Sequence, residues 1–152
     1  MGVSGAGKTT IGSALAAGLG WRFLDADDYH PAQNVAKMAA GVPLQDADRW
    51  PWLERMNEAL KQENNAVLAC SALKEAYRRR LLDGIFHYRL VYLRGTFDLI
   101  RARLAERRHR FMPPNLLESQ FAALEEPERA IAIDVSASVG DCVAAIARRI
   151  AR

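Results

Sequence analysis

The sequence predicts an α/β fold, a parallel sheet with helices on both faces. Short apolar runs alternate with longer helix-like segments along the chain. That alternation implies crossover connections, and therefore parallel strands covered by helices. A glycine-rich stretch, GVSGAGKT at residues 2–9, runs straight into an Ala- and Leu-rich segment. Each strand candidate is followed by a loop suited to carrying ligand groups, because ligands bind at the carboxyl ends of parallel strands.

The elements follow in order. Residues 8–19 form the first helix, with Gly18 and Gly20 as stops. Residues 21–25, a short apolar run ending in acid, form a strand. Pro31 and Gly41 bracket a helix over 31–40. Trp52, Met56 and Leu60 recur every fourth residue, which predicts a helix over 48–62. Residues 66–70 read as a strand, 74–82 as a helix closed by Asp83-Gly84, and 88–94 as an alternating strand. Thr96 caps a helix whose apolar positions are Phe97, Ile100 and Leu104. Pro113-Pro114 breaks the chain before a short helix over 115–124. Residues 130–135 form the last strand. Ser138 and Asp141 then resemble a capping box ahead of Val139, Val143, Ile146 and Ile150.

Composition bounds the class. The 152 residues suit a single domain, and half of them are hydrophobic. No apolar run approaches the ~20 residues of a membrane span, and no signal peptide is visible. The expectation is a cytoplasmic protein without a membrane partner. Cys70 and Cys142 lack metal-type spacing and read as buried, reduced thiols. The net charge is +3, and lysine supplies only Lys8, Lys37, Lys61 and Lys74 of the 21 basic residues. An arginine bias suits bidentate capture of phosphate or carboxylate. The clusters Arg78-Arg79-Arg80 and Arg107-Arg108 are short and lack interleaved aromatics. Nucleic-acid binding is therefore not expected.

Residues 2–9 match G-x-x-x-x-G-K-[ST]. Glycines at this spacing let the backbone curl, so that successive N–H groups point at phosphate oxygens. The following helix adds its positive end. The predicted nucleotide contacts are Gly2, Ser4, Gly5, Ala6, Gly7, Lys8, Thr9 and Thr10. Lys8 reaches the β- and γ-phosphates of ATP, and the Thr9 hydroxyl is placed for Mg²⁺. A chance glycine-rich turn before a helix is the bland alternative. A phosphate loop normally hangs from a central strand, and only Met1 precedes this one. The expectation is a sheet whose first strand is missing from this chain, the natural chain starting several residues upstream. A poorly folding fragment, or a fold that tolerates a gap in its sheet, is the alternative.

Asp25, Asp27 and Asp28 stand where the first strand candidate ends. In an extended chain Asp25 and Asp27 share one face. One carboxylate then serves Mg²⁺ while the other accepts a proton from a hydroxyl. An acidic turn capping the next helix explains the same residues without chemistry. Beside a phosphate loop, acids facing the γ-phosphate fit a kinase.

GVSGAGKTT, FLDADDYHP, NVAKMAAGVPLQDADRWPWL, CSALKEAYRR and FMPPNLLESQFAALEEP occur in this order between Gly2 and Pro127. This series resembles the gluconokinase family, and the stretch from His30 to Leu53 is its most specific part. Shikimate kinases share the loop and the D-x-D, but not H-P-x-x-N-x-x-K-M or C-S-A-L-K. The resemblance implies a P-loop fold like that of nucleoside monophosphate kinases. One domain would span 1–152, with a substrate-side helical region at about 28–64 and a lid at about 101–114. It implies ATP-dependent phosphorylation of D-gluconate at its 6-hydroxyl, with Mg²⁺, and a possible homodimer. Lys8 and Thr9 would hold ATP and Mg²⁺, Asp27 would orient or deprotonate the hydroxyl, and Asp25 would support the metal.

A carboxylate and five hydroxyls call for a cation and several hydrogen-bonding groups. The candidates are His30, Lys37, Arg49, Ser71, Lys74, Tyr77 and Arg78. Lys74 and Arg78, four apart on one helix face, form a candidate carboxylate receptor with Ser71 beside them. Each is otherwise a surface charge, and His30 otherwise packs or caps beside Pro31. Trp50 and Trp52 read as core. In the lid, Arg103, Arg107 and Arg108 would close over the phosphates, with Arg107 as the catalytic candidate. A solvated basic helix end is the alternative. The family commonly has Gly-His before Phe-Met, where this chain has His109-Arg110, so the choice of lid arginine stays open. The loop near Ser136 would border adenine. Two other readings are a kinase of another hydroxy acid such as shikimate, and a catalytically weak ATP-binding protein lacking its first strand.

Overall fold

The computed structural model describes residues 1–107 and 114–152. The helices are α1 (Lys8–Leu19), α2 (Ala32–Ala39), α3 (Asp46–Lys61), α4 (Glu75–Leu81), α5 (Phe97–Glu106), α6 (Pro114–Ala123) and α7 (Val139–Ile150). The strands are β1 (Arg22–Asp25), β2 (Ala66–Ala69), β3 (Val91–Arg94) and β4 (Ile131–Asp134). A single 3₁₀ turn, Ala26–Tyr29, follows β1.

The strands pair in parallel, but as two halves rather than one sheet. Arg22–Asp25 lies in register with Ala66–Ala69, and Val91–Arg94 with Ile131–Asp134. No strand among the described residues joins β2 to β3. Met1 reaches in between them, its amine donating to the Val91 carbonyl (2.6 Å) and its carbonyl accepting from Leu93 N (3.0 Å). On the other side Gly2 N donates to Ser71 O (3.2 Å).

Two cores cover the halves. One joins Ile11 and Leu15 of α1 with Leu93, Ile100, Leu117, Ile133 and Ile146, uniting β3, β4 and helices α1, α5, α6 and α7. The other joins Trp52, Leu53 and Met56 of α3 with Tyr77 and Leu81 of α4, and reaches Ala26 and Cys70. Leu53 and Met56 are wholly buried, each worth about 1.5–3 kcal/mol by transfer from water. Cys70 and Cys142 are free and buried, as their apolar segments imply.

Most boundaries shift by a residue or two, and two shifts have clear causes. α3 begins at Asp46 because Gln45 and Asp48 form a reciprocal capping box, with Gln45 in a place where Ser or Thr is usual. Pro51 then removes one rung of that helix, and the buried row from Trp52 to Met56 holds the helix through the gap. β3 is shorter than residues 88–94, because the hydrogen bonds that build it begin at Leu90. Ile131 N donates to Leu90 O, and Met1 engages only Val91 and Leu93. Tyr88 is left exposed.

Candidate active site

The loop from Gly2 to Gly7 is shaped by backbone. At Gly2 a Cβ would sit 2.8 Å from Leu93 O, so only glycine lets the loop pass that close to β3. Gly7 caps α1 at φ 90°, a left-handed geometry that costs other residues about 1 kcal/mol or more. No side chain caps the α1 N-terminus, and its first turn holds no acid. Its leading N–H groups are thus free for an anion. Lys8 folds onto the loop, donating from Nζ to Val3 O (2.9 Å). Burial pulls its pKa below the usual lysine value, and the nearby Asp27 and Asp25 carboxylates oppose that pull.

Across the loop stand the acids. Thr9 Oγ1 donates to Asp25 Oδ2 (2.9 Å), and Asp27 N donates to Asp25 Oδ1 (3.0 Å). The structure therefore brings Thr9 and Asp25 together, as their proposed shared role requires. The chain is not extended through both acids. Asp25 ends β1 and caps the 3₁₀ turn on which Asp27 rides, leaving the Asp27 side chain exposed. Asp25 thus caps the turn with one carboxylate oxygen and accepts from Thr9 with the other.

The substrate-side candidates divide into two groups. His30 stacks on Trp52 at 4.3 Å, and the Trp52 indole donates to Ala26 O (2.7 Å). Asn34 Nδ2 donates to Asp48 O (2.8 Å) and faces His30 Nδ1 at 3.3 Å. With that amide orientation Nδ1 is the acceptor and the imidazole proton sits on Nε2. Burial holds the His30 pKa below its ordinary value, so the ring is neutral near pH 7. Lys37 is tied to Asp48 (2.7 Å), and Arg49 donates to Leu44 O (2.7 Å). The second group gathers on Tyr77. Its hydroxyl bonds Asp46, the Arg49 guanidinium lies 5.5 Å from its ring centre and the Lys74 ammonium 5.6 Å. Trp50 meets the same ring edge-on at 5.7 Å. Burial and then the Asp46 carboxylate push the Tyr77 hydroxyl up to about 12, so it remains a donor.

Arg78 departs from the sequence expectation. Lys74 is the N-cap of α4 rather than a helical residue, so the two cations do not share a face. Arg78 is buried and fully engaged. It donates to the carbonyls of Ala72 (2.9 Å) and Leu73 (3.0 Å), and to Glu75 (2.9 and 2.8 Å). Those carbonyls belong to a turn in which Ala72 takes a left-handed φ of 43°, costly for a residue with a Cβ. Arg78 therefore fastens the turn that carries Ser71 and Lys74.

At the nucleotide side, Arg103 donates to Val135 O, next to Ser136 rather than toward the loop. Arg107 lies at the end of α5, close enough to Lys8 to depress its pKa further. Arg108 and the lid stretch 108–113 lie outside the described residues. Sequence reasoning overlooked Gln120. Its side chain accepts from Ser4 N (2.8 Å) and donates to Ser4 Oγ (3.0 Å), so α6 props the phosphate loop. Asp46 and Asn34 were overlooked as well. Only the resemblance around residues 30–53 could have flagged those two.

The geometry agrees with what the chain resembles. The shikimate kinase family profile matches residues 4–141. The chain is 49% identical over 132 residues to the thermosensitive gluconokinase of Escherichia coli (strain K12), spanning 84% of this chain and 71% of that one. It is 46% identical over 168 aligned positions to a probable gluconokinase of Xenopus tropicalis, spanning 96% and 88%. The crystal structure of a gluconokinase from Sinorhizobium meliloti 1021 superposes with a TM-score of 0.89 at 39% identity, covering 98% of this chain and 90% of that one. A shikimate kinase from Aquifex aeolicus shares the fold at a TM-score of 0.63 and 16% identity. With a phosphate loop, facing acids and relatives this similar over most of its length, the chain belongs to the gluconokinase family of P-loop kinases.

Proposed function

We propose that this protein transfers the γ-phosphoryl group of ATP to the 6-hydroxyl of D-gluconate, giving 6-phosphogluconate and ADP. One observation carries the reading: a phosphate loop and its lysine face an acid pair on one side, with two cations flanking Tyr77 beyond. The loop amides and Lys8 hold the β- and γ-phosphates. The substrate hydroxyl oxygen attacks the γ-phosphorus while Asp27 orients it and accepts its proton. The bond from that phosphorus to the β,γ-bridging oxygen breaks, and ADP leaves with that oxygen. Positioning and charge neutralisation dominate such a transfer.

Thr9 and Asp25 offer a hydroxyl and a carboxylate oxygen already 2.9 Å apart, hard ligands of the kind Mg²⁺ takes alongside nucleotide phosphates. Bound there, Mg²⁺ would neutralise charge on the phosphate oxygens. Arg49 and Lys74 are the groups for the gluconate carboxylate, and His30 Nε2–H and the Ser71 hydroxyl are donors or acceptors for its hydroxyls. Arg107 would close on the phosphates and exclude water. Arg78 acts through the turn it fastens, without touching substrate.

ADP release measured with ATP plus gluconate, ATP plus shikimate, and ATP alone tests this. Gluconate-dependent release supports it. Release dependent on shikimate, or ATP binding without turnover, overturns it.

A further inference from the structure

Lys74 occupies the N-cap of α4, a position that favours Ser, Thr, Asp or Asn because their side-chain oxygens accept from the helix. Lysine has no acceptor, and it makes no side-chain cap here. The acceptor comes from far along the chain. Glu75 N, the first N–H of α4, donates to Glu125 Oε2 (2.8 Å) across 50 residues of sequence. The main chain of Glu125 holds the other flank of Lys74, its N–H donating to Leu73 O (2.9 Å). Glu125 therefore grips the residues before and after Lys74, one through its backbone and one through its carboxylate. Leu73 O takes a second, buried bond from Arg78 (3.0 Å). Importing the cap acceptor leaves position 74 free for a cation.

Glu125 is itself tied to the half of the molecule that carries the phosphate loop. Leu124 N donates to Gln120 O (3.0 Å), and Phe121 and Leu124 pack on the core that holds Ile11, Leu93 and Ile133. Beside it, Tyr92 of β3 donates to Glu126 Oε1 (3.1 Å). Gln120 of α6 in turn holds Ser4 of the loop. The turn bearing Lys74 follows β2, in the other half of the sheet. Glu125 thus fixes Lys74 against the frame on which the phosphates sit. We propose that Glu125 is a positioning residue for the acceptor acid. It sets where the Lys74 ammonium stands relative to the phosphate loop, and so how tightly the substrate carboxylate is held, without touching substrate. This rests on the reading that Lys74 receives the gluconate carboxylate.

Steady-state kinetics of Glu125→Ala, Glu125→Gln and Lys74→Ala, with the double variant Glu125→Ala/Lys74→Ala, test this. Glu125→Ala keeps the backbone bond and loses the carboxylate. It is expected to raise KM for gluconate about five- to tenfold, with kcat and KM for ATP within about twofold of the parent. Glu125→Gln keeps an acceptor oxygen, and is expected to return KM for gluconate to within about twofold. In the Lys74→Ala background, adding Glu125→Ala is expected to shift KM by less than about twofold, because the group it positions is gone. A role confined to capping α4 would lower Tm and leave KM for gluconate level, and that result overturns the proposal. So does an equal rise in KM with and without Lys74, or a glutamine variant no better than alanine. Amide exchange at Glu75 gives a readout without substrate. Its N–H has no acceptor within α4, so Glu125→Ala should speed its exchange by about tenfold. Unchanged exchange overturns the contact itself. A parent that releases ADP with shikimate rather than gluconate would sink the substrate assignment instead, and the same comparisons would then be read on KM for shikimate.

Discussion

The phosphate loop and the side proposed to receive the sugar acid are built in different ways. The phosphate loop is made by main chain: glycines that permit close passage and left-handed φ, an uncapped helix start, and one lysine. The sugar-acid side is made by side chains from three helices and the turn before α4, where Tyr77 pairs with Asp46 and Asn34 with His30 and Asp48. A backbone site tolerates change in most of its side chains, so the effect of substitution concentrates in the few side chains that it uses, Lys8 first. A side-chain site spreads its function, so each single change costs less.

The sharpest break of that contrast is Lys8→Ala. Removing one donor aimed at transition-state charge costs about 10²–10³ in kcat. Single-turnover rates with saturating ATP measure it, and near-normal turnover would show that the loop amides alone suffice. Arg78→Ala comes next and acts on stability. It strands two buried carbonyls and frees a strained turn, with a loss of about 3 kcal/mol in urea unfolding. A loss below about 1 kcal/mol would mean that the turn holds itself. Asp27→Asn follows, lowering kcat by about 10² with little change in KM for ATP. The reverse pattern would move Asp27 from chemistry to nucleotide binding.

The same contrast explains what could be read from sequence. The phosphate loop is contiguous, and its spacing alone names Gly2 to Thr9. The D-x-D was legible as acids, but not its geometry, because a 3₁₀ turn replaces the extended chain after Asp25. Arg78 was misplaced for a physical reason: arginine is seldom fully buried, and nothing local signals carbonyls waiting for it. Gln120 touches Ser4 across 116 residues of sequence, beyond any periodicity. The strands were legible, and a gap in the sheet beside the phosphate loop was among the expectations; which strands pair in each half was not, since pairing depends on which edges meet.

Gln120→Ala probes the exception, a side chain that supports the backbone site. It removes two hydrogen bonds to Ser4, each worth about 1 kcal/mol net. Water can replace part of that, so KM for ATP should rise about tenfold while KM for gluconate stays level. If KM for gluconate rose instead, α6 would belong to the sugar-acid side and the division drawn here would fail.

Tyr77→Phe is the smallest expected effect and the finest test. The ring stays, so the contacts with Arg49, Lys74 and Trp50 remain. Only the hydrogen bond to Asp46 is lost. Asp46 is also 3.8 Å from the Lys74 ammonium, so an unpaired Asp46 is free to draw Lys74 away from substrate. The expected result is a two- to fivefold rise in KM for gluconate, on the order of 0.5–1 kcal/mol, with kcat and KM for ATP unchanged. A fall in kcat without a change in KM would place Tyr77 at the reacting hydroxyl. An unchanged KM would leave the Tyr77–Asp46 bond structural, and the cations held by the aromatic faces alone.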